Sequence, residues 1–230
     1  FPEDVIMKKT SGFPVFLVAI ILFTGMSARS ASALSFGIYG QYKTASAALN
    51  TDYFDPDPML PAWEEDADAE RSLFGFGLLI DTAVAKDKLF NYRLQLGIAS
   101  GSISIDGTQY SKSIGLTEYH MYHSFGFGIV RTDGLRLWLG PQLGLGQARG
   151  SYSYAGKSGM KYIETFASIG AVLGLNAHVS ERVSLGFTGG ARNNFTEVNY
   201  STDNDLHFAY SGSNGGLEVF GDVALILRYE

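Results

Sequence analysis

The sequence predicts an all-β chain folded as an eight-stranded antiparallel up-and-down barrel. Three observations carry the prediction. Eight segments put an apolar residue at every second position, the period of a strand with two unlike faces. Long and short connections alternate between them. Glycine is abundant at 28 of 230 residues, Phe and Tyr number 16 and 13, and charged residues make up only 17%. That balance suits pleated sheet better than helix.

The chain divides into two parts. Residues 1–33 read as upstream residues followed by a cleavable signal peptide. Met7-Lys8-Lys9 supplies a positive start, the run FPVFLVAIILF (13–23) an apolar centre, and Ala31-Ser32-Ala33 a small-residue cleavage site. The run is shorter than the roughly 20 residues of a spanning helix. Residues 34–230 form the barrel domain. Cleavage after Ala33 removes Lys8, Lys9, Arg29, Glu3 and Asp4, leaving 14 basic against 21 acidic residues, a net charge of −7. An acidic chain argues against nucleic acid as a partner. There is no cysteine, so disulfides, a Cys-based metal site and a lipid-anchored N-terminal Cys are excluded.

The first segment, 34–44, sets Phe36, Ile38 and Tyr42 against Gly37, Tyr39, Gln41 and Lys43. The second, 72–85, sets Phe74, Phe76, Leu78, Ile80 and Val84 against Gly75, Gly77 and Asp81. In 89–101, Tyr92, Leu94 and Leu96 oppose Asn91, Arg93 and Gln95; in 116–130, Tyr119, Met121, His123 and Phe125 oppose Glu118, His120, Tyr122 and Ser124. The fifth, 136–147, is the stretch RLWLGPQLGLGQ, with Leu137, Leu139, Leu143 and Leu145 on one side and Trp138, Gln142 and three glycines on the other. Segment 161–179 sets Ile169, Leu173 and Leu175 against Glu164, Ser168 and Asn176; segment 182–192 sets Val183, Leu185 and Phe187 against Ser184, Thr188 and Arg192. The last, 216–230, sets Leu217, Val219, Val223 and Leu225 against Glu218 and Asp222.

Three connections are tight: AKDK (85–88), RTDG (131–134) and SER (180–182). They hold the residues short hairpins use. The connections between, about 45–71, 102–115, 149–160 and 193–215, are expected as long loops. This rhythm gathers every long loop at one end and both termini at the other. Pro141 falls mid-strand, where it cannot donate a ladder bond. The parity of the leucines runs through it unchanged, so a local irregularity without a register shift is expected.

Alternation alone does not say which face meets water. A soluble barrel would carry Lys and Glu on its polar face. Here that face is Gly, Ser, Asn and Gln with scattered charges, the content of a narrow filled interior. The apolar face is broad, and Phe36, Phe74, Phe90, Tyr92, Tyr119 and Tyr229 fall near strand ends, as in the aromatic girdles of membrane barrels. A transmembrane β-barrel is therefore expected in place of a soluble one. Its lumen would hold the bases Lys43, Arg93, Arg136, Arg192 and Arg228 and the acids Asp81, Glu118, Glu164, Glu218 and Asp222, a balance a dry interior requires. Of these, Asp81, Arg93, Glu118, His120, Glu164, Arg192, Glu218 and Asp222 are the candidate polar network, with Glu118 pairing His120. Lys43, Arg136, Arg192 and Arg228 lie near strand ends and are expected at the rims in water. Eight strands leave an interior just wide enough for side chains, so a plugged barrel is expected.

The alternating segments, LWLGPQLGLG and the ending GDVALILRYE resemble the small eight-stranded outer-membrane β-barrels of Gram-negative bacteria, of the opacity-protein and OmpA-transmembrane-domain type. The resemblance implies an outer-membrane location, lipid and lipopolysaccharide as surroundings, and insertion by the barrel assembly machinery, which reads a terminal aromatic; here Tyr229 precedes Glu230. It brings no catalytic residue and no cofactor. The expected function is non-enzymatic, structural or surface-interacting, through four loops that could meet a ligand or host partner. A small-solute channel and a lipid-modifying enzyme are the alternatives.

An enzyme would need a Ser, His and acid constellation. His123 and Ser124 are adjacent and point to opposite faces, while His120 and Ser124 stand about 13 Å apart along a strand. His123 is expected near the outer-leaflet headgroups. The first loop holds eight acidic residues from Asp52 to Glu70, followed by Arg71. Such density suits Ca²⁺, and Asp66, Asp68 and Glu70 have EF-hand-like spacing. Arg71 stands in place of the turn glycine, so a solvated acidic loop is expected. Tyr, Ser, Gly and Asn in the later loops suit adaptable recognition.

Overall fold

The computed structural model describes residues 34–53, 63–82, 89–107, 111–154, 157–202 and 210–228. The signal-peptide region, the AKDK turn and Tyr229 lie outside the described residues. Eight strands are present: β1 (Ser35–Tyr53), β2 (Trp63–Asp81), β3 (Phe90–Gly107), β4 (Ser111–Arg131), β5 (Leu135–Tyr154), β6 (Lys157–His178), β7 (Val183–Thr202) and β8 (Tyr210–Arg228). Each pairs antiparallel with its sequence neighbours, and β8 returns to β1 from Ser35↔Arg228 to Ala47↔Gly216, closing the barrel. Along the paired rungs closure leaves no strand edge exposed.

The two described tight turns are stapled by their own hydroxyls. Thr132 Oγ1 accepts from Leu135 N at 3.1 Å, and Ser180 Oγ accepts from Val183 N at 3.2 Å. Pro141 pairs with Ala171 of β6, but the β4–β5 ladder lacks rungs between Ser124↔Gln142 and Phe127↔Leu139. The register is the same on both sides of that gap. It shifts only further on, between Gly128 and Val130.

The expected long loops are mostly strand. Segment 45–71 continues β1 to Tyr53 and begins β2 at Trp63, and the other three are likewise shortened to the gaps between β3 and β4, β5 and β6, and β7 and β8. The strands run 18 to 22 residues, whereas a tilted strand crosses a bilayer in about 9–11. The reason the extension escapes sequence reading lies in its polarity. The period of two continues, but the faces exchange character. On β3, Leu94 and Leu96 face outward below while Ser102 and Asp106 face outward above, and the inward side passes from Arg93 and Gln95 to Ile103 and Ile105. On β2, outward Phe74, Phe76 and Leu78 give way to Ser72, Glu70 and Asp68.

The barrel therefore has two halves. Near the short turns an apolar band faces outward, including Ile38, Phe76, Leu139, Leu173 and Val223. Such a continuous exposed band has no place in water. In the far half the outward face is polar, and Leu73, Ile103, Ile105, Ile114, Leu116, Tyr162 and Val198 pack into one buried cluster inside. Tyr42 marks the border on β1: its ring is outward and its hydroxyl meets Ser72 Oγ at 2.8 Å.

Candidate functional site

The lumen of the lower half holds the polar network, and inward parity delivers it. Buried there are the cations Lys43, Arg71, Arg93, Arg136 and Arg192 and the anions Asp81, Glu118, Glu164, Glu218 and Asp222. All eight expected network residues are buried. Three rim expectations are corrected: Lys43, Arg136 and Arg192 are 1%, 0% and 1% exposed. β1 and β7 continue well beyond the expected ends, so Lys43 and Arg192 lie inside the wall, and Arg136 is buried although it stands only one residue inside the start of β5. Arg228 is half-buried at the short-turn end, where it donates to the Ser180 carbonyl. Arg71, expected in the acidic loop, takes its place in the lumen because β2 begins eight residues earlier.

Three layers follow along the axis. Nearest the short turns, Arg93 holds Asp81 through Nε at 2.9 Å and Nη2 at 2.7 Å, and donates to Thr188 and Asn176 at 2.8 and 2.9 Å. Its guanidinium lies 5.0 Å from the Trp138 ring centroid. Gly174 makes the room: a Cβ there would meet the indole of Trp138. In the middle, Asp222 accepts from Gln41 at 2.7 Å and Gln95 at 2.8 Å. Beside it the Tyr39 hydroxyl and His120 Nε2 lie 2.8 Å apart, and His120 Nδ1 lies 3.0 Å from Glu118 Oε1.

The third layer carries the densest charge. Lys43 pairs with Glu118 and donates to the Tyr122 hydroxyl at 2.9 Å. Arg71 reaches Glu164 at 2.8 Å, Glu218 at 3.0 Å and Glu118 at 3.1 Å. Arg192 pairs with Glu218, donates to Gln142 at 2.8 Å, and stands 3.6 Å over the Tyr122 ring. Charge-assisted bonds of this kind are the strong ones, and each offsets the cost of taking its ions from water. The buried apolar cluster lies directly above, with Tyr162 donating to Glu164 at 2.8 Å from its edge.

Other expectations resolve elsewhere. His123 is outward and half-buried, with Tyr92 OH 2.6 Å from its Nδ1. Its ladder partners are Leu94 and Leu143, so it sits within the apolar band and not at the headgroups. Asp68 and Glu70 lie exposed on β2, an extended strand where the EF-hand-like spacing has no loop to act in. The sequence signal for Arg71 was its parity with Leu73 and Gly75, obscured by the acids on the alternate positions.

The fold is that of an outer-membrane β-barrel protein, and the chain has the architecture of the small eight-stranded outer-membrane barrels. It is similar to the outer membrane protein OprG from Pseudomonas aeruginosa, with a TM-score of 0.61 at 10% identity, covering 85% of this chain and 96% of that one. Weaker likenesses are to the attachment invasion locus protein Ail of Yersinia pestis (TM-score 0.34, 8% identity, 84% and 99% covered) and the outer membrane protease OmpT of Escherichia coli (0.40, 7%, 87% and 98%). No family model matches this chain, and no curated protein matches it.

Proposed function

We propose that this protein is exported, resides in the outer membrane, and acts there as a non-enzymatic closed barrel that displays four hairpins for structural or surface contact. The carrying observation is the lumen: five cations and five anions are buried there, with Lys43, Arg71, Arg93 and Arg192 paired to Asp81, Glu118, Glu164 and Glu218, and an apolar cluster caps them. A solute crossing it would have to break charge-assisted bonds and then pass packed hydrocarbon, and neither step has a compensating partner. The barrel assembly machinery would insert the chain, and a surface ligand or host partner would meet the hairpins.

Planar-bilayer recording tests the closed lumen. The purified protein is expected to give no stable openings. Uniform, long-lived single-channel steps would replace this reading with a small-solute channel. Mass spectrometry of lipid A from cells with and without the protein is expected to show the same acyl pattern, and a gained or lost acyl chain would make it an enzyme.

A further inference from the structure

The outward face of β4, β5 and β6 passes from lipid to water over successive rungs. Met121, Leu145 and Ala167 are aligned on one; Tyr119, Gln147 and Thr165 on the next; Thr117, Arg149 and Ile163 on the next; Gly115, Ser151 and Lys161 on the last. Tyr119 is outward and exposed at the border, the level where amphipathic rings settle. Immediately above it come two exposed cations, Arg149 and Lys161.

Their arrangement is built by the strands. Gln147 Nε2 donates to Thr165 Oγ1 at 3.4 Å, and Gln147 Oε1 accepts from Arg149 Nε at 2.8 Å. This chain engages Nε, and no side chain among the described residues engages the Nη pair. Lys161 stands diagonally across from Arg149, a placement that puts the two positions about 7–8 Å apart, within reach of long side chains. The other charged residues facing outward in this upper half, among those described, are acids: Asp68, Glu70, Asp106 and Glu197. Glu197 flanks the patch across β6, opposite Thr165. Among the described outward-facing residues of the upper half, positive charge thus falls in one sector, two to three rungs above the Met121, Leu145 and Ala167 rung.

We infer that Arg149 and Lys161 form a docking site for the phosphomonoester of a lipid A-type glycolipid in the surrounding leaflet. The inference rests on the outer-membrane location proposed above. The guanidinium fork meets a phosphate bidentately and the ammonium adds a point charge. Acyl chains then lie against Leu145, Ala167 and Ile169, with the Tyr119 ring between chain and headgroup. A phosphomonoester fits better than a phosphodiester because it carries more charge and a third oxygen for Lys161.

The test uses the full chain in zwitterionic detergent, titrated with diphosphoryl lipid A, dephosphorylated lipid A and phosphatidylglycerol, with bound lipid read by native mass spectrometry. Diphosphoryl lipid A is expected to bind tightest. The R149Q/K161Q double variant is expected to lose about tenfold in that affinity, roughly 1.4 kcal/mol, while D68N/E70Q keeps it. Heat-modifiable migration on gels verifies that each variant is folded. Equal binding of dephosphorylated lipid A or phosphatidylglycerol, or undiminished binding by the folded double variant, overturns the site. Absence of the parent chain from the outer-membrane fraction would instead overturn the location on which it rests.

Discussion

Arg71 Nη1 and Glu164 Oε1 lie 2.8 Å apart across the lumen, although 93 positions separate them in the chain. Arg71 also reaches Glu118 and Glu218, so one guanidinium serves three carboxylates from β4, β6 and β8. Arg71→Ala would leave that set short of a cation in a dry site. Removing one partner of a buried pair costs about 3–5 kcal/mol, and a loss of that size is expected in urea unfolding of the protein in lipid vesicles. A change below about 1 kcal/mol would mean the network is wet.

Gly97 separates two side chains that need its missing Cβ. A methyl there would meet the Tyr39 hydroxyl and His120 Nε2. Gly97→Ala should therefore break their bond and cost about 1–3 kcal/mol, the usual penalty of overpacking. Gly115→Ala is the comparison: nothing lies within 4 Å of its built Cβ. It is expected to stay within about 0.5 kcal/mol in the same unfolding assay.

The two outward zones can be told apart by a single charge. Leu139→Arg places arginine in the apolar band and is expected to cost about 2–4 kcal/mol. Ser102→Arg, on the polar extension, should stay within about 0.5 kcal/mol. Equal costs at both positions would remove the border drawn at Tyr42 and Tyr119.

Accessibility gives an independent reading of the same border. Cysteines at Asp68, Ser102 and Ser113 should react with a membrane-impermeant maleimide on intact cells. Cysteines at Phe76 and Leu96 in the apolar band, and at Ile103 and Ile114 in the buried cluster, should not. Labelling at Ile103 comparable to that at Ser102 would open the cap above the charge network.

The sequence by itself determined the fold class and the sidedness of each strand. A two-residue period is local, so parity placed Asp81, Arg93, Glu118, His120 and Glu218 on one face without knowledge of any partner. The lower lumen was legible for that reason. Tertiary structure alone decided how far the strands run and which charges meet. Small residues such as Ala67, Ala69, Ser102 and Ser104 carry weak local signals, and pairing with neighbours makes them strand. The exchange of faces above Tyr42 follows from where the bilayer ends, a boundary no single segment encodes. Arg71 and Lys43 then became buried because the extended wall and the apolar cap keep water from them, which only closure of all eight strands provides.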